Sequence, residues 1–190
     1  MTKQDFHNFR SKTVEELFLI GRCYENGDGV GKDKAEAVKW YRTAARCGSS
    51  DAMFELSKCY SFGIGVRRNP TTASKWLRNA AESGHVKAMC QLGNNCLFEY
   101  DNEYNPRKAF RLFQKAAEKG DSWGMFHLGE CYEDGIGIKK DFDAAFLWFC
   151  RAVVTSPEDD RLYQSVQNRI FDPNLKDYRE NIINKSNTFK

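Results

Sequence analysis

The 190-residue chain has little histidine, the side chain that titrates near neutral pH and the commonest metal ligand. Its three histidines, His7, His85 and His127, are far apart in sequence, and none lies in a cluster of Cys or His with metal-ligand spacing. No stretch is apolar enough to span a bilayer, and the opening Met-Thr-Lys-Gln-Asp-Phe-His lacks the apolar run of a secretory leader. With an odd count of seven cysteines, this predicts reduced thiols and a cytoplasmic location. There is no block of five or six like charges: 29 basic and 26 acidic residues are intermixed, for a net charge of +3. The basic stripe expected of a nucleic-acid-binding face is not visible as a run, so neither nucleic acid nor membrane is expected as a partner. No strand-loop-helix setting for a phosphate-binding glycine loop is present either, and no cofactor is expected.

What the chain does have is one phrase, repeated. Cys-Tyr-Glu-Asn-Gly-Asp-Gly-Val-Gly-Lys-Asp at 23–33 returns as Cys-Tyr-Ser-Phe-Gly-Ile-Gly-Val-Arg-Arg-Asn at 59–69 and as Cys-Tyr-Glu-Asp-Gly-Ile-Gly-Ile-Lys-Lys-Asp at 131–141. The first two copies are 36 residues apart and the next two 72 apart, which places a degraded copy near 95–105. A fixed period of this size is the mark of a stacked repeat array. Aromatics make up 14% of the residues, which suits thin layers filled by large side chains.

Each copy ends one helix and begins the next. Thr13-Val-Glu-Glu16 has the form of a capping box. The helix it opens carries Leu17, Ile20, Gly21 and Tyr24 on one face and runs to about Asn26, where Gly27 takes a left-handed cap. Asp33 opens the second helix, with Glu36 placed to close a box, and Gly48 ends it. Helix starts recur at Asp33, Asn69, Asn105 and Asp141, two of them followed by Pro70 and Pro106 at the favoured first helical position. Large residues recur at Trp40, Trp76, Leu112 and Trp148, followed by Tyr41, Leu77, Phe113 and Phe149. Small ones recur at Ala44, Ala80, Ala116 and Ala152, and on the first helices at Gly21, Ser57, Gly93 and Gly129. Four helix pairs with no insertion are predicted, at 14–49, 50–85, 86–121 and 122–156, preceded by a leader or cap at 1–13. No hairpin of this kind buries its apolar face alone, so each stacks on the next.

The third copy departs: Glu99 and Asp101 stand where the others have glycine, Asp101 or Asn102 is expected to make the turn, and Tyr104 is expected to pack where the other turns carry Val or Ile. Past Pro157 the pattern changes. Leu162, Val166 and Ile170 form a narrow stripe suited to a capping helix, and Asp172-Pro173 reads as the start of a last helix, so 157–190 is expected to be C-terminal capping helices and a frayed tail.

The pattern Leu-Gly-x-Cys-Tyr-x-x-Gly-x-Gly-Val, then Asp, then Ala-x-x-Trp-Tyr-x-x-Ala-Ala-x-x-Gly, resembles the Sel-1-like repeat family, relatives of the tetratricopeptide repeats. The resemblance covers about residues 14 to 156. It implies an all-α fold, a right-handed α/α superhelical solenoid with four repeats, and a role as adaptor or scaffold. A cysteine-rich branch of that family, some of it described as β-lactam-binding, pairs cysteines eight residues apart across helix junctions. Here the residue eight after Cys47 is Glu55, which counts against carrying over those disulfides or that activity.

In such solenoids the first helices line a concave face. The rows beside the core stripe are then Phe18, Phe54, Cys90 and Phe126; Arg22, Lys58, Asn94 and Glu130; and Glu25, Ser61, Leu97 and Glu133, with Phe62 and Phe98 adding apolar area near the helix ends. The second row runs from basic to acidic, which would orient an extended or helical peptide. The expectation is a non-enzymatic module, monomeric outside its complex, that binds a protein or peptide segment through Phe18, Arg22, Glu25, Phe54, Lys58, Phe62, Asn94, Phe98, Phe126 and Glu130. Two rivals stay open: a small-molecule-binding or hydrolytic protein of the cysteine-rich type, and a constitutive regulatory subunit of an enzyme.

Overall fold

The computed structural model describes residues 12–98 and 104–170. The expected leader up to residue 11, the altered turn at Glu99–Asn102 and the last helix from Asp172 lie outside the described residues. Those described form helices and no strands: α1 Val14–Asn26, α2 Lys34–Arg46, α3 Ser50–Phe62, α4 Pro70–Glu82, α5 Val86–Leu97, α6 Pro106–Glu118, α7 Ser122–Asp134, α8 Phe142–Thr155 and α9 Asp160–Ile170. The chain divides into two compact units, Met1–Met89 and Cys90–Lys190.

The helix starts follow from the cap residues. Thr13 closes a full capping box with Glu16. Asp33, Asn69, Asn105 and Asp141 each accept from a backbone N–H in the first turn of α2, α4, α6 and α8. Glu36 does not close the box expected of it; its carboxylate takes Lys39 Nζ at 2.7 Å. Ser49, His85, Asp121 and Asp159 perform the same service for α3, α5, α7 and α9, accepting from the N–H of Ala52, Ala88, Gly124 and Leu162. The turns close on one backbone bond, from the helix-start residue back to the first helix: Asp33 N–H to Tyr24 O, Asn69 to Tyr60, Asn105 to Cys96 and Asp141 to Tyr132, all 2.8–2.9 Å. The third repeat therefore keeps the closure without the glycines.

In the first unit one core joins both helix pairs. Leu17, Ile20, Val38, Trp40, Tyr41, Leu56 and Cys59 are its buried centre. Across each pair a small residue on the first helix faces a ring on the second. A Cβ on Gly21 would sit 2.6 Å from the Tyr41 ring, and in the second unit Gly93 and Gly129 stand in the same relation to Phe113 and Phe149. Where the small residue is Ser57, the ring is replaced by Leu77. Tyr41, Leu77, Phe113 and Phe149 are all buried. The tryptophans expected to fill the layers are less uniform, Trp40 being buried and Trp76 and Trp148 half-buried.

The second unit holds one cluster around Phe113, Leu128 and Cys131 and another around Phe126, Phe149, Leu162 and Val166. In the second of these α9 covers the α7–α8 pair. Trp123 Nε1 donates to Asp159 at 3.0 Å, and Arg169 reaches back to α7. Tyr104 is 61% exposed rather than packed in the turn. Its register partners are Arg68 and Lys140, not the valine or isoleucine it was expected to replace.

Candidate functional site on the first helices

The first-helix rows separate into residues used for packing and residues left open. In the first unit Phe18 is half-buried against Tyr41, ring centroids 5.7 Å apart. Phe54 stacks on His85 at 4.3 Å and carries Lys58 Nζ 5.7 Å above its ring. Lys58 also holds Glu55 at 2.6 Å and keeps 41% of its side chain exposed. Glu25 accepts the Tyr41 hydroxyl at 2.6 Å. Burial, the Glu25 hydrogen bond and its charge together push the Tyr41 phenol well above its ordinary range. Arg22 is exposed and Phe62 is 73% exposed. At the starts of α1 and α3, an open groove of ≈ 480 Å³ is lined by Val14, Glu15, Phe18, Leu19 and residues 47–51.

In the second unit Phe98 is 68% exposed and Asn94 half-buried. Phe126 is only 6% exposed, in contact with Phe149 and Trp123; it belongs to the core and not to an open surface. Glu130 is engaged twice, by His127 Nδ1 at 2.9 Å and by Arg169 at 2.7 Å. Burial alone would raise its carboxyl, but His127 and then Arg169 outweigh that and hold it below the usual carboxylate range. Glu133, buried, accepts from Arg169 at 3.0 Å. The basic-to-acidic row is thus spent at its acidic end. Sequence spacing alone could not show this, because Arg169 lies 39 residues from Glu130.

None of the seven cysteines is in a disulfide. Burial pushes the Cys59 thiol up to about 11 and that of Cys131 up to about 12. It pushes Cys90 further still, with help from the charge of Asp121 beside it and a 3.3 Å contact to its carboxylate. Near neutral pH these are protonated packing groups, and a thiol in that state is a poor nucleophile. Among the described residues no group of His, Cys, Asp and Glu has the arrangement to hold a metal, and no helix is long and apolar enough to cross a membrane.

The Sel1 repeat model matches residues 17–49, 50–85, 86–121 and 124–153. The chain belongs to the Sel1 repeat family. Those bounds follow the helix pairs α1–α2, α3–α4, α5–α6 and α7–α8. Among solved structures, a Sel1 repeat protein from Oxalobacter formigenes is 31% identical over 84% of this chain and 64% of its own, with a TM-score of 0.74. The protective antigen c5321 present in uropathogenic Escherichia coli strains, which displays the same fold, is 30% identical over 85% of this chain, with a TM-score of 0.69. The present chain spans 64% of the first and 35% of the second. No curated protein sequence matches it significantly. Members of the Sel1 repeat family are in general protein-interaction modules, built as all-α repeat solenoids.

Proposed function

We propose that this Sel1 repeat chain is a non-enzymatic adaptor or scaffold that binds a protein or peptide segment through the first helices of its repeats. The observation that carries the reading is a pair of phenylalanines at one register position. Phe62 and Phe98, 36 residues apart, end α3 and follow α5, and stay 73% and 68% exposed. A phenylalanine left in water forgoes about 1.5–3 kcal/mol of burial free energy, and aromatic side chains are enriched at the centres of protein interfaces. In the first unit Arg22 on α1 and the exposed part of Lys58 on α3 add positive charge to the first helices. Phe18, Glu25, Phe54, Phe126 and Glu130, engaged in the contacts described above, hold the first helices in place within their own units.

The test is affinity capture with the full chain and with Phe62→Ser/Phe98→Ser, both checked by circular dichroism. Partners retained by the wild type and lost by a folded double variant support the reading. An unchanged set of partners refutes the first-helix surface.

A further inference from the structure

One helix carries a feature the other second helices lack. Along α6, Arg107, Arg111, Lys115 and Lys119 (the last just past its end) recur every fourth residue, and all four are exposed. At 1.5 Å per residue they form a ladder about 18 Å long. The register-equivalent sets are Ala35, Lys39, Thr43 and Cys47 in α2; Thr71, Lys75, Asn79 and Ser83 in α4; and Asp143, Leu147, Arg151 and Thr155 in α8. Each of those has a single cation where α6 has four. The only acid within α6 is Glu118.

The ladder also begins where cations are least welcome. A helix N-terminus carries partial positive charge and favours acids. Glu36 and Asp143 occupy the first turns of α2 and α8, whereas the first turn of α6 holds Arg107 and Lys108. The turn bearing exposed Lys139 and Lys140 brings more positive charge to the same place, because Gly137 is seated against Pro106 and Arg107. Within the second unit the fold thus concentrates like charge at one end of an exposed helix face, and an anionic partner would relieve it.

We infer that the outer face of α6 docks an acidic helical segment of a partner protein, one with Glu or Asp recurring every fourth residue. Crossing α6 at about −50°, such a segment lays its own i, i+4 ridge along the ladder, so neighbouring carboxylates meet neighbouring cations. A membrane surface fits less well: the apolar side of α6 (Ala109, Phe113, Ala116 and Ala117) is buried and has nothing to insert. Single-stranded nucleic acid is held on aromatic platforms, and no ladder position is aromatic. The surface is distinct from the first-helix residues and does not depend on them.

The experiment uses the full chain and a fluorescein-labelled synthetic peptide, alanine-rich, with Glu at every fourth position, against a scrambled peptide of the same composition. Anisotropy is read at about 50 and about 200 mM salt. The wild type is expected to bind the ordered peptide more tightly than the scrambled one, with affinity falling as salt rises. Arg107→Glu/Arg111→Glu/Lys115→Glu is expected to weaken binding at least about tenfold, and Lys75→Glu/Arg78→Glu/Lys87→Glu, with the same change in net charge at exposed sites, less than about threefold. The inference is overturned by no binding of the ordered peptide, by equal binding of the scrambled one, or by equal losses in the two variants. It is overturned as well if the ladder variant keeps the peptide and loses instead phosphatidylserine vesicles or oligouridine.

Discussion

Alanine at Gly29 and at Gly137 separates two reasons for keeping the second glycine of the turn: its backbone angle and the space it leaves. The angles are the same, φ 71° and 72°. An alanine held left-handed costs about 1–2 kcal/mol and recovers about 0.4–1 kcal/mol from a stiffer unfolded chain, so the conformational cost is about 1 kcal/mol at either site. The surroundings differ completely. A Cβ on Gly29 meets nothing within 4 Å. On Gly137 it would overlap the Pro106 carbonyl oxygen and lie 2.7 Å from the carbonyl carbon and 2.9 Å from Arg107 Cα. All three are backbone atoms at the start of α6, and none can rotate aside. Moving the turn off that helix start is an overpacking cost of about 1–3 kcal/mol, so Gly137→Ala should lose about 3 kcal/mol in all against about 1 for Gly29→Ala. Gly65, at φ 65° and seated on the Lys34 carbonyl, should behave like Gly137. Urea midpoints followed by circular dichroism measure the difference. Because a repeat array can depart from two-state unfolding, amide exchange in the first turn of α6 locates the loss. Equal destabilisation at 29 and 137 would show that only the angle matters and would refute the role of the second glycine as a contact between repeats.

Other outcomes follow from the same geometry. Gly129→Ala should destabilise by about 1–2 kcal/mol despite the better helix propensity of alanine, and Phe149→Leu in the same chain should recover much of that loss, recreating the Ser57–Leu77 solution; additive losses in the double-mutant cycle would sink the idea. Arg169→Ala should cost about 1–2 kcal/mol, since it strips charged partners from Glu130 and Glu133, and amide exchange should show α9 opening first; uniform exchange across α7–α9 would contradict this. His85 has its pKa lowered chiefly by burial, with Asp51 at 3.4 Å and Lys87 and Glu55 the charges around it. A depressed histidine binds fewer protons folded than unfolded, so its contribution is full above the ordinary value of 6.5 and is lost as pH falls below it. Relative to wild type, His85→Ser should therefore gain stability on going from pH 7.5 to pH 5.5, about one unit either side of that value, as read by urea midpoints; an unchanged difference between the two proteins would refute it.

The period of 36 made most of the fold legible, because cap, ring and small residue each recur in a register that helix geometry demands. What it hid was anything set by two distant positions at once. Gly137 reads as a turn glycine until the start of the preceding repeat's second helix is seen beneath it. Phe126 reads as a member of an open row with Phe18 and Phe54 until α9 is seen closing over the same pair of helices. The α6 cations were hidden for a related reason: they are four apart and separated mostly by apolar residues, so they form no run in sequence and become a ladder only on a helix. The cap of α5 is not legible in sequence because His85 is an unusual acceptor, and nothing in sequence shows that Asp159 also accepts from Trp123 across 36 residues.

These contacts also bear on where recognition would end along the array. Asp159, Leu162 and Val166 repeat the roles of Asp121, Gly124 and Leu128, but 38 residues on rather than 36, so α9 stands as the first helix of a fifth repeat with no second helix among the described residues. In taking that place it ties down Glu130 and Glu133 through Arg169 and adds Leu162 and Val166 to the cluster that buries Phe126. The fourth repeat thus spends, on sealing its own core, positions that the first three leave partly or fully open at Arg22, Lys58, Phe62, Asn94 and Phe98. If partner binding used the fourth repeat's row, Arg169→Ala would alter affinity by releasing Glu130. On the division argued above it should loosen α9 and leave affinity unchanged.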